Sequence, residues 1–283
     1  MAQLPWQNKP RTQIIPCTVR EYEQARLQYM GSHMLGTFDF SPRLAQWKMK
    51  GLIPSRSTSY YELGKALHCF VLEGATEFHN RYEVAEGPIN PKTQAPYGRD
   101  TKAFSSWYEE ITSTGKEIVS GAELNQIEQM AESIYETAAR DLLQVGTPEV
   151  TIRGHLFQVA CQSRLDWLDY SQNIIHLVDL KTTENLGRFE KDFWKFGYQR
   201  QLAFYRGMVD GLGMGRPIQV DIIAVEKQEP YRSHVWNISE ATLLEAEEWV
   251  KARLLDYRQL VANFGFDRPW PLSLEFGRSI GTL

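Results

Sequence analysis

The chain has only three cysteines in 283 residues, Cys17, Cys69 and Cys161. They are scattered and form no Cys-x-x-Cys pair. That argues against a disulfide framework or a zinc site and for a reducing cytoplasm, and it leaves too few thiolates for a four-cysteine iron–sulfur cluster. Long hydrophobic runs are missing, so no membrane span is expected, and Met1-Ala2-Gln3-Leu4-Pro5 does not read as a signal peptide. An excess of positive charge is missing too. The net charge is −4, so any nucleic-acid contact must use a local basic stripe rather than a global field. No internal repeat and no low-complexity segment is present. Hydrophobic residues make up 42% of the chain and aromatics 12%. That is ample for a packed core, and the length suits one large domain or one domain with a helical annex.

The most informative stretch runs from Arg164 to Thr183. Leu165, Trp167 and Leu168 mark one strand, Ser171-Gln172-Asn173 a turn, and Ile174 to Leu180 a second strand. The second strand is almost wholly apolar, as for a strand covered on both faces. It nevertheless ends in Asp179-Leu180-Lys181. Residues i and i+2 of a strand share a side, so Asp179 and Lys181 project together, with Asp166 of the partner strand a candidate to lie across from them. Such charges at the end of a buried strand are costly unless they pair or hold a metal. A surface salt bridge is the plain alternative for the tripeptide alone.

Residues 1 to about 18 read as an extended lead and Arg20 to Met30 as a helix. Ser41-Pro42 starts another helix, Arg43 to Lys50. A polar loop containing Arg56 and Ser57 precedes a helix over Tyr60 to Glu73, stopped by Gly74. Residues 86 to 101 read as an exposed loop, followed by a short helix, Ala103 to Ile111. Ser120-x-x-Glu123 is a capping box that opens a long helix with an apolar stripe through Ile127, Met130 and Ile134. Strands are expected at Glu149–Arg153, Leu156–Leu168, Ile174–Thr182, Ile218–Glu226 and Arg232–Ile238, the last at an edge. Helices are expected at Tyr198–Val209 and Glu240–Phe264, the latter capped by Ser239. The expected organisation is an N-terminal extension over 1–40, a domain over 41–264 with a helical insertion at about 86–145, and a tail over 265–283.

The order helix, three strands, helix, strand, with carboxylates on the second and third strands, resembles the PD-(D/E)xK nuclease core. That is an α/β (α+β), restriction-endonuclease-like fold with a central mixed sheet flanked by helices. Gly64-Lys-Ala-Leu-His68, Arg164-Leu-Asp166, Asp179-Leu-Lys-Thr-Thr183 and Gln201-Leu-Ala-Phe-Tyr205 are similar, in order, to four motifs of the exodeoxyribonuclease VIII (RecE-like) family, the last being the Gln-x-x-x-Tyr motif of RecB-type nucleases. The likeness runs from about Ser41 to about Lys227. Asp166 follows Leu165 where the superfamily name implies Pro-Asp, a departure common among RecE-like members.

The resemblance implies a metal-dependent exodeoxyribonuclease using Mg²⁺, with Mn²⁺ substituting and two ions per site. Asp166, Asp179, the Leu180 carbonyl and His68 would be the ligands, since hard cations held by carboxylates suit phosphodiester hydrolysis. Lys181 would activate water, and beside metals in a desolvated cleft its pKa should fall. Gln201 and Tyr205 share a helix face and would bind phosphate or water, unless that helix is simply packed. Glu149 is evenly balanced between a further ligand and a strand-entry charge. Arg188, Lys191, Lys195, Arg200 and Arg206, interleaved with Phe193, Trp194 and Phe196, read as a DNA-tracking belt or as a solvated face over an aromatic cluster. Arg164 is a further candidate for DNA contact, and Arg43, Arg56 and Ser57 are candidates for a terminal phosphate. The family further implies 5′ to 3′ resection of double-stranded ends for recombination, a single-strand annealing partner, a ring-shaped homo-oligomer and a phage or prophage origin in a bacterial cytoplasm. A non-catalytic DNA-binding or structural phage protein, and an endonuclease on the same fold, are the alternatives.

Overall fold

The computed structural model describes residues 11–53, 59–98 and 100–274. Arg56 and Ser57 lie outside the described residues. The chain opens with β1 (Arg11–Ile14), α1 (Val19–Ala25), α2 (Ser32–Phe40) and α3 (Pro42–Met49). It continues through α4 (Ser59–His68), a π-helical turn (Cys69–Glu73) and α5 (Ala75–Arg81). A peripheral parallel pair, β2 (Tyr82–Val84) and β3 (Glu117–Val119), flanks α6 (Lys102–Ser113). Then come α7 (Gly121–Tyr135), α8 (Ala139–Leu142), β4 (Thr147–Leu156), β5 (Val159–Asp169) and β6 (Ile175–Thr183). A 3₁₀ turn at Leu186–Arg188 leads to α9 (Phe189–Lys195) and α10 (Tyr198–Asp210). The chain ends with β7 (Ile218–Glu226), β8 (Ser233–Asn237) and α11 (Glu240–Phe264).

Six strands form one mixed sheet in the order β1-β4-β5-β6-β7-β8. Only β6 and β7 run parallel; the other neighbours are antiparallel. That pattern follows from connection length: hairpin turns join β4 to β5 and β5 to β6, whereas the β6–β7 crossover contains two helices. β6 and β7 are central and covered on both faces, which explains their nearly continuous apolar sequence. Ile175 and Leu177 of β6 face one core with α2, α10 and α11. Val178 and Leu180 face a second core with α4, the π turn and α7. The Ser120–Glu123 capping box closes reciprocally at the start of α7, and Ile127, Met130 and Ile134 are buried beneath it.

Residues 11–40 do not stand apart from this fold. β1 pairs with β4, and Leu35 and Phe38 of α2 are fully buried in the main core. The helix expected over Arg20–Met30 is shorter, because Met30 is drawn out of helical conformation to bridge Cys161 on β5. Gly74, at φ 89°, ends the π turn as expected of a residue that tolerates the left-handed region. The three cysteines are free thiols. Among the described residues no helix is long and apolar enough to cross a membrane.

Candidate active site

β5 and β6 pair only at Trp167–Asp169 against His176–Val178. Beyond that point the ladder stops, and a side chain takes over its role. The Leu180 amide donates to Asp166 Oδ2 at 2.8 Å. The strands therefore part beside Asp166 and Asp179 while β6 keeps its full pairing with β7. This opening is the candidate site.

α4 brings His68 into it. Nδ1 of His68 lies 2.7 Å from the Gly64 carbonyl one turn earlier. Nε2 lies 2.7 Å from the Leu180 carbonyl and 3.2 Å from Asp166 Oδ2. All three neighbours accept, so both ring nitrogens carry protons and the ring is an imidazolium. Burial pulls His68 down, but the Asp166 carboxylate outweighs it and the pKa is pushed up to about 9. Burial alone would raise Asp166; the His68 cation, Lys181 and the Leu180 amide reverse that and hold it below the usual carboxylate range.

Asp179 sits on the other side of the opening, 1% exposed. It ion-pairs with Lys181, yet neither of its oxygens accepts a well-formed hydrogen bond among the described residues. Burial pushes its pKa up, with Lys181 pulling the other way. The lysine does not show the expected depression. Burial lowers it, but Asp179 and Asp166 together raise it above the ordinary value, because this pocket holds two carboxylates for one ammonium. Two anions thus face two cations, and the site is close to neutral as it stands.

α10 lines the same opening. Gln201 Nε2 donates to the Tyr205 hydroxyl at 2.8 Å. Burial pushes Tyr205 well above its ordinary value, and the charges of Tyr22, Asp179 and Asp166 add to the push. Leu202 and Phe204, on other faces, are fully buried.

Three further residues reach the site. The Tyr198 ring lies 5.3 Å from Lys181 Nζ. Its signal was in the sequence, since Tyr198, Gln201 and Tyr205 follow i, i+3, i+7 on one helix face. Tyr22 of α1 adds electrostatically to the upward push on Tyr205, and desolvation, with the Lys181 charge adding to it, holds His33 of α2 below its usual value. These two come from the first forty residues, and no local pattern marks them.

Glu149 and Arg164 form a separate pair at the flank. Pro148 pairs with Trp167 and Val150 with Leu165, so the register sets Glu149 opposite Asp166. Glu149 adopts φ 54°, unusual for a non-glycine residue in a strand. Arg164 ion-pairs with it and donates to the Cys17 carbonyl at 2.9 Å, so its guanidinium is held inside the fold. Arg43 is likewise engaged, its Nε donating to the Trp270 carbonyl at 2.8 Å. Lys191 and Lys195 are exposed on α9. Arg200 lies over Trp249 at 4.3 Å and 3.7 Å from Asp39. Arg206 does not belong to a surface belt. It is 4% exposed and bound by Glu247 at 2.5 Å and Glu240 at 2.6 Å, partners supplied by α11.

Among the described residues no three His, Cys, Asp or Glu side chains already converge as a metal cage. The donor set still fits a divalent cation. Asp179 offers two buried oxygens without hydrogen bonds, and Asp166, the Leu180 carbonyl and His68 meet around one point occupied by a ring proton. Oxygen donors of this kind suit a hard ion, which binding would exchange for that proton.

No curated protein matches the chain. Among solved structures, a candidate exonuclease from Eubacterium rectale is similar over 95% of this chain and 96% of its own, with TM-score 0.61 and 16% identity, a likeness of fold. The solved structure of SSO0001 covers 52% of this chain and 68% of its own at 15% identity, with TM-score 0.27. The family PDDEXK-like domain of unknown function (DUF3799) matches residues 32–264, which take in the sheet from β4 onward, α4 and α10. With that match over most of its length, the chain belongs to the PDDEXK-like family DUF3799.

Proposed function

We propose that this protein is a metal-dependent deoxyribonuclease that resects double-stranded DNA ends, 5′ to 3′, leaving a strand for a single-strand annealing partner in recombination. The observation that carries the reading is the parting of β5 and β6, which sets Asp166, the Leu180 carbonyl and His68 on one side and the underbonded Asp179 with Lys181 on the other. Asp166, Asp179, the Leu180 carbonyl and His68 would hold Mg²⁺ or Mn²⁺, which supplies Lewis acidity toward the phosphate and a water of lowered pKa. Lys181 presents its charge where negative charge develops on the phosphate, in a buried setting that strengthens the effect. Gln201 offers its amide to the phosphate or the attacking water, braced by Tyr205. Exposed Lys191 and Lys195 would meet the DNA backbone. The ring-shaped homo-oligomer is part of the same reading.

The test is incubation with Mg²⁺ or Mn²⁺ and two duplex substrates, one linear and end-labelled, one covalently closed. Progressive shortening of the linear duplex with the circle intact is the expected result. Cutting of the circle would make the enzyme an endonuclease. Binding without cutting of either would leave a DNA-binding protein on a nuclease fold.

A further inference from the structure

We propose that Phe196 and Trp194 form a stacking ledge at the mouth of the cleft, which binds the unpaired bases of a single-stranded nucleic-acid segment leading to Lys181. The inference rests on the nuclease reading above and specifies what that site holds beside the reacting phosphate.

Four aromatic residues lie on or just after α9, and the fold treats them in two ways. Phe189 and Phe193 are buried in the main core, while Trp194 is 49% and Phe196 58% exposed. A core position for such rings is thus available on the same short helix, and burial would be favoured. The exposed pair instead continues a path from the site. Gly197, in the left-handed region at φ 71°, turns the chain between α9 and α10. That turn separates two neighbouring rings. Tyr198 points inward over Lys181 at 5.3 Å, and Phe196 points outward, its ring 5.9 Å from Tyr198. Trp194 stands edge-on against buried Phe193 at 5.3 Å, which fixes its orientation.

Charge indicates what the ledge holds. Lys195 Nζ lies 5.2 Å from the Phe196 ring, and Arg188, Lys191 and Lys195 fall at spacings that share one exposed face. Asp192, four residues after Arg188, and Glu190 lie on the same helix, so the cations form a track broken by carboxylates rather than a broad basic face. Rings beside a basic track are the arrangement that binds single strands, with bases stacked and phosphates paired. A purely apolar protein partner would have no use for the lysines or for the continuity with Lys181. Because every base has a π face, the ledge accepts any sequence, and it favours ends that fray over ends that stay paired.

The test is fluorescence anisotropy of a labelled single-stranded oligonucleotide with the full chain in EDTA, where hydrolysis does not consume the probe. Phe196→Ala and Trp194→Ala should each bind about 5- to 150-fold more weakly, the range for loss of one stacked base. Phe196→Tyr should bind like the parent, and Phe196→Leu, which keeps apolar bulk without a ring, should bind like Phe196→Ala. Scanning one abasic nucleotide along the oligonucleotide should reveal a position where the missing base weakens the parent but not Phe196→Ala. Parent-like binding by Phe196→Leu, or equal abasic sensitivity in both proteins, overturns the ledge. So does a Phe196→Ala variant whose oligomeric state changes while its affinity does not, which would give the rings to a second copy. Hydrolysis of labelled duplex with Mn²⁺ is followed in parallel. A parent that cuts while the ledge variants bind unchanged removes the ledge alone; a parent that neither binds nor cuts removes the nuclease reading with it.

Discussion

Asp179→Ala should make the metal-free protein more stable while abolishing hydrolysis. Asp179 is 1% exposed and ion-paired with Lys181, but among the described residues its oxygens accept no well-formed hydrogen bond. A buried polar group left unsatisfied costs about 1–3 kcal/mol. Its raised pKa means that burial outweighs Lys181, so the charged form is disfavoured on balance. Truncation removes that cost and leaves about one water's worth of space, ~30 Å³. At ~24 cal/mol per Å³ the cavity costs about 0.7 kcal/mol. Lys181 retains Asp166 as a counter-ion. The net is a gain of about 1 kcal/mol, or roughly 2–4 °C in Tm for a chain of this size. The pH dependence has a definite sign. A carboxyl group whose folded-state pKa is raised stabilises most below its unfolded value of about 3.9 and less as pH rises through the folded value. The variant's advantage should therefore be full at pH 7.5 and shrink as the pH falls into the carboxylate range. Thermal melts in EDTA at both ends of that window decide it, with Mn²⁺ added in a third series, where only the parent should gain. A variant that melts several degrees below the parent at pH 7.5 in EDTA refutes the view that Asp179 is held at a cost.

Lys181→Met keeps the apolar stem, so Mn²⁺ binding measured by calorimetry should survive while turnover falls by on the order of 10² to 10⁴; metal affinity lost along with the charge would make Lys181 structural. His68, raised to about 9, stabilises the metal-free fold fully below about pH 6.5 and loses that contribution as pH rises through 9. A cation entering at Nε2 must displace its proton, so the heat of Mn²⁺ binding near pH 7.5 should vary with the ionisation enthalpy of the buffer, and should stop varying in His68→Ala. Leu202→Ala should cost roughly 2–5 kcal/mol, since Leu202 is fully buried, and leave the chemistry of folded molecules unchanged. Gln201→Ala, which loses one bond to Tyr205, should cost only about 0.5–1.5 kcal/mol yet slow hydrolysis; early melting with normal cutting would return α10 to a packing role.

Much of this was legible along the sequence wherever local pattern and tertiary demand agree. β7 and α11 occupy the ranges that the apolar run and the Ser239 cap predict, and β6 lies within a residue of its expected ends, whereas β5 starts at Val159 rather than Leu156 because β4 runs on to Leu156 before the Phe157–Gln158 turn. α2 escaped notice because Gly36 and Thr37 interrupt it and its apolar face is weak; burial of Leu35 and Phe38 supplies what local propensity does not. β1 has no readable period because it is a four-residue edge strand, defined by its partner. The same limit governs charges. Arg206 looks like a surface cation until Glu240 and Glu247 arrive from a helix 34 and 41 residues away. Asp166 and Asp179 could be placed on one strand pair from spacing alone. The imidazolium at His68 could not, since its proton is set by acceptors from three separate elements.

β1 also has a mechanical consequence. Its backbone covers the hydrogen-bonding edge of β4, an edge that would otherwise be open to strands from other molecules. It fits only because residue 154 is glycine: a Cβ there would come within 2.2 Å of the Arg11 carbonyl oxygen. A single added methyl group would therefore unzip the seam without touching any charged side chain. The seam is tied to the far end of the cleft helix as well. Thr12 donates through its amide to the Gly211 carbonyl at 3.2 Å and through its hydroxyl to the Met208 carbonyl at 2.7 Å. The strand that keeps neighbouring molecules off the sheet is thus also the mooring of the helix that presents Gln201 and Tyr205, and loosening one slackens the other.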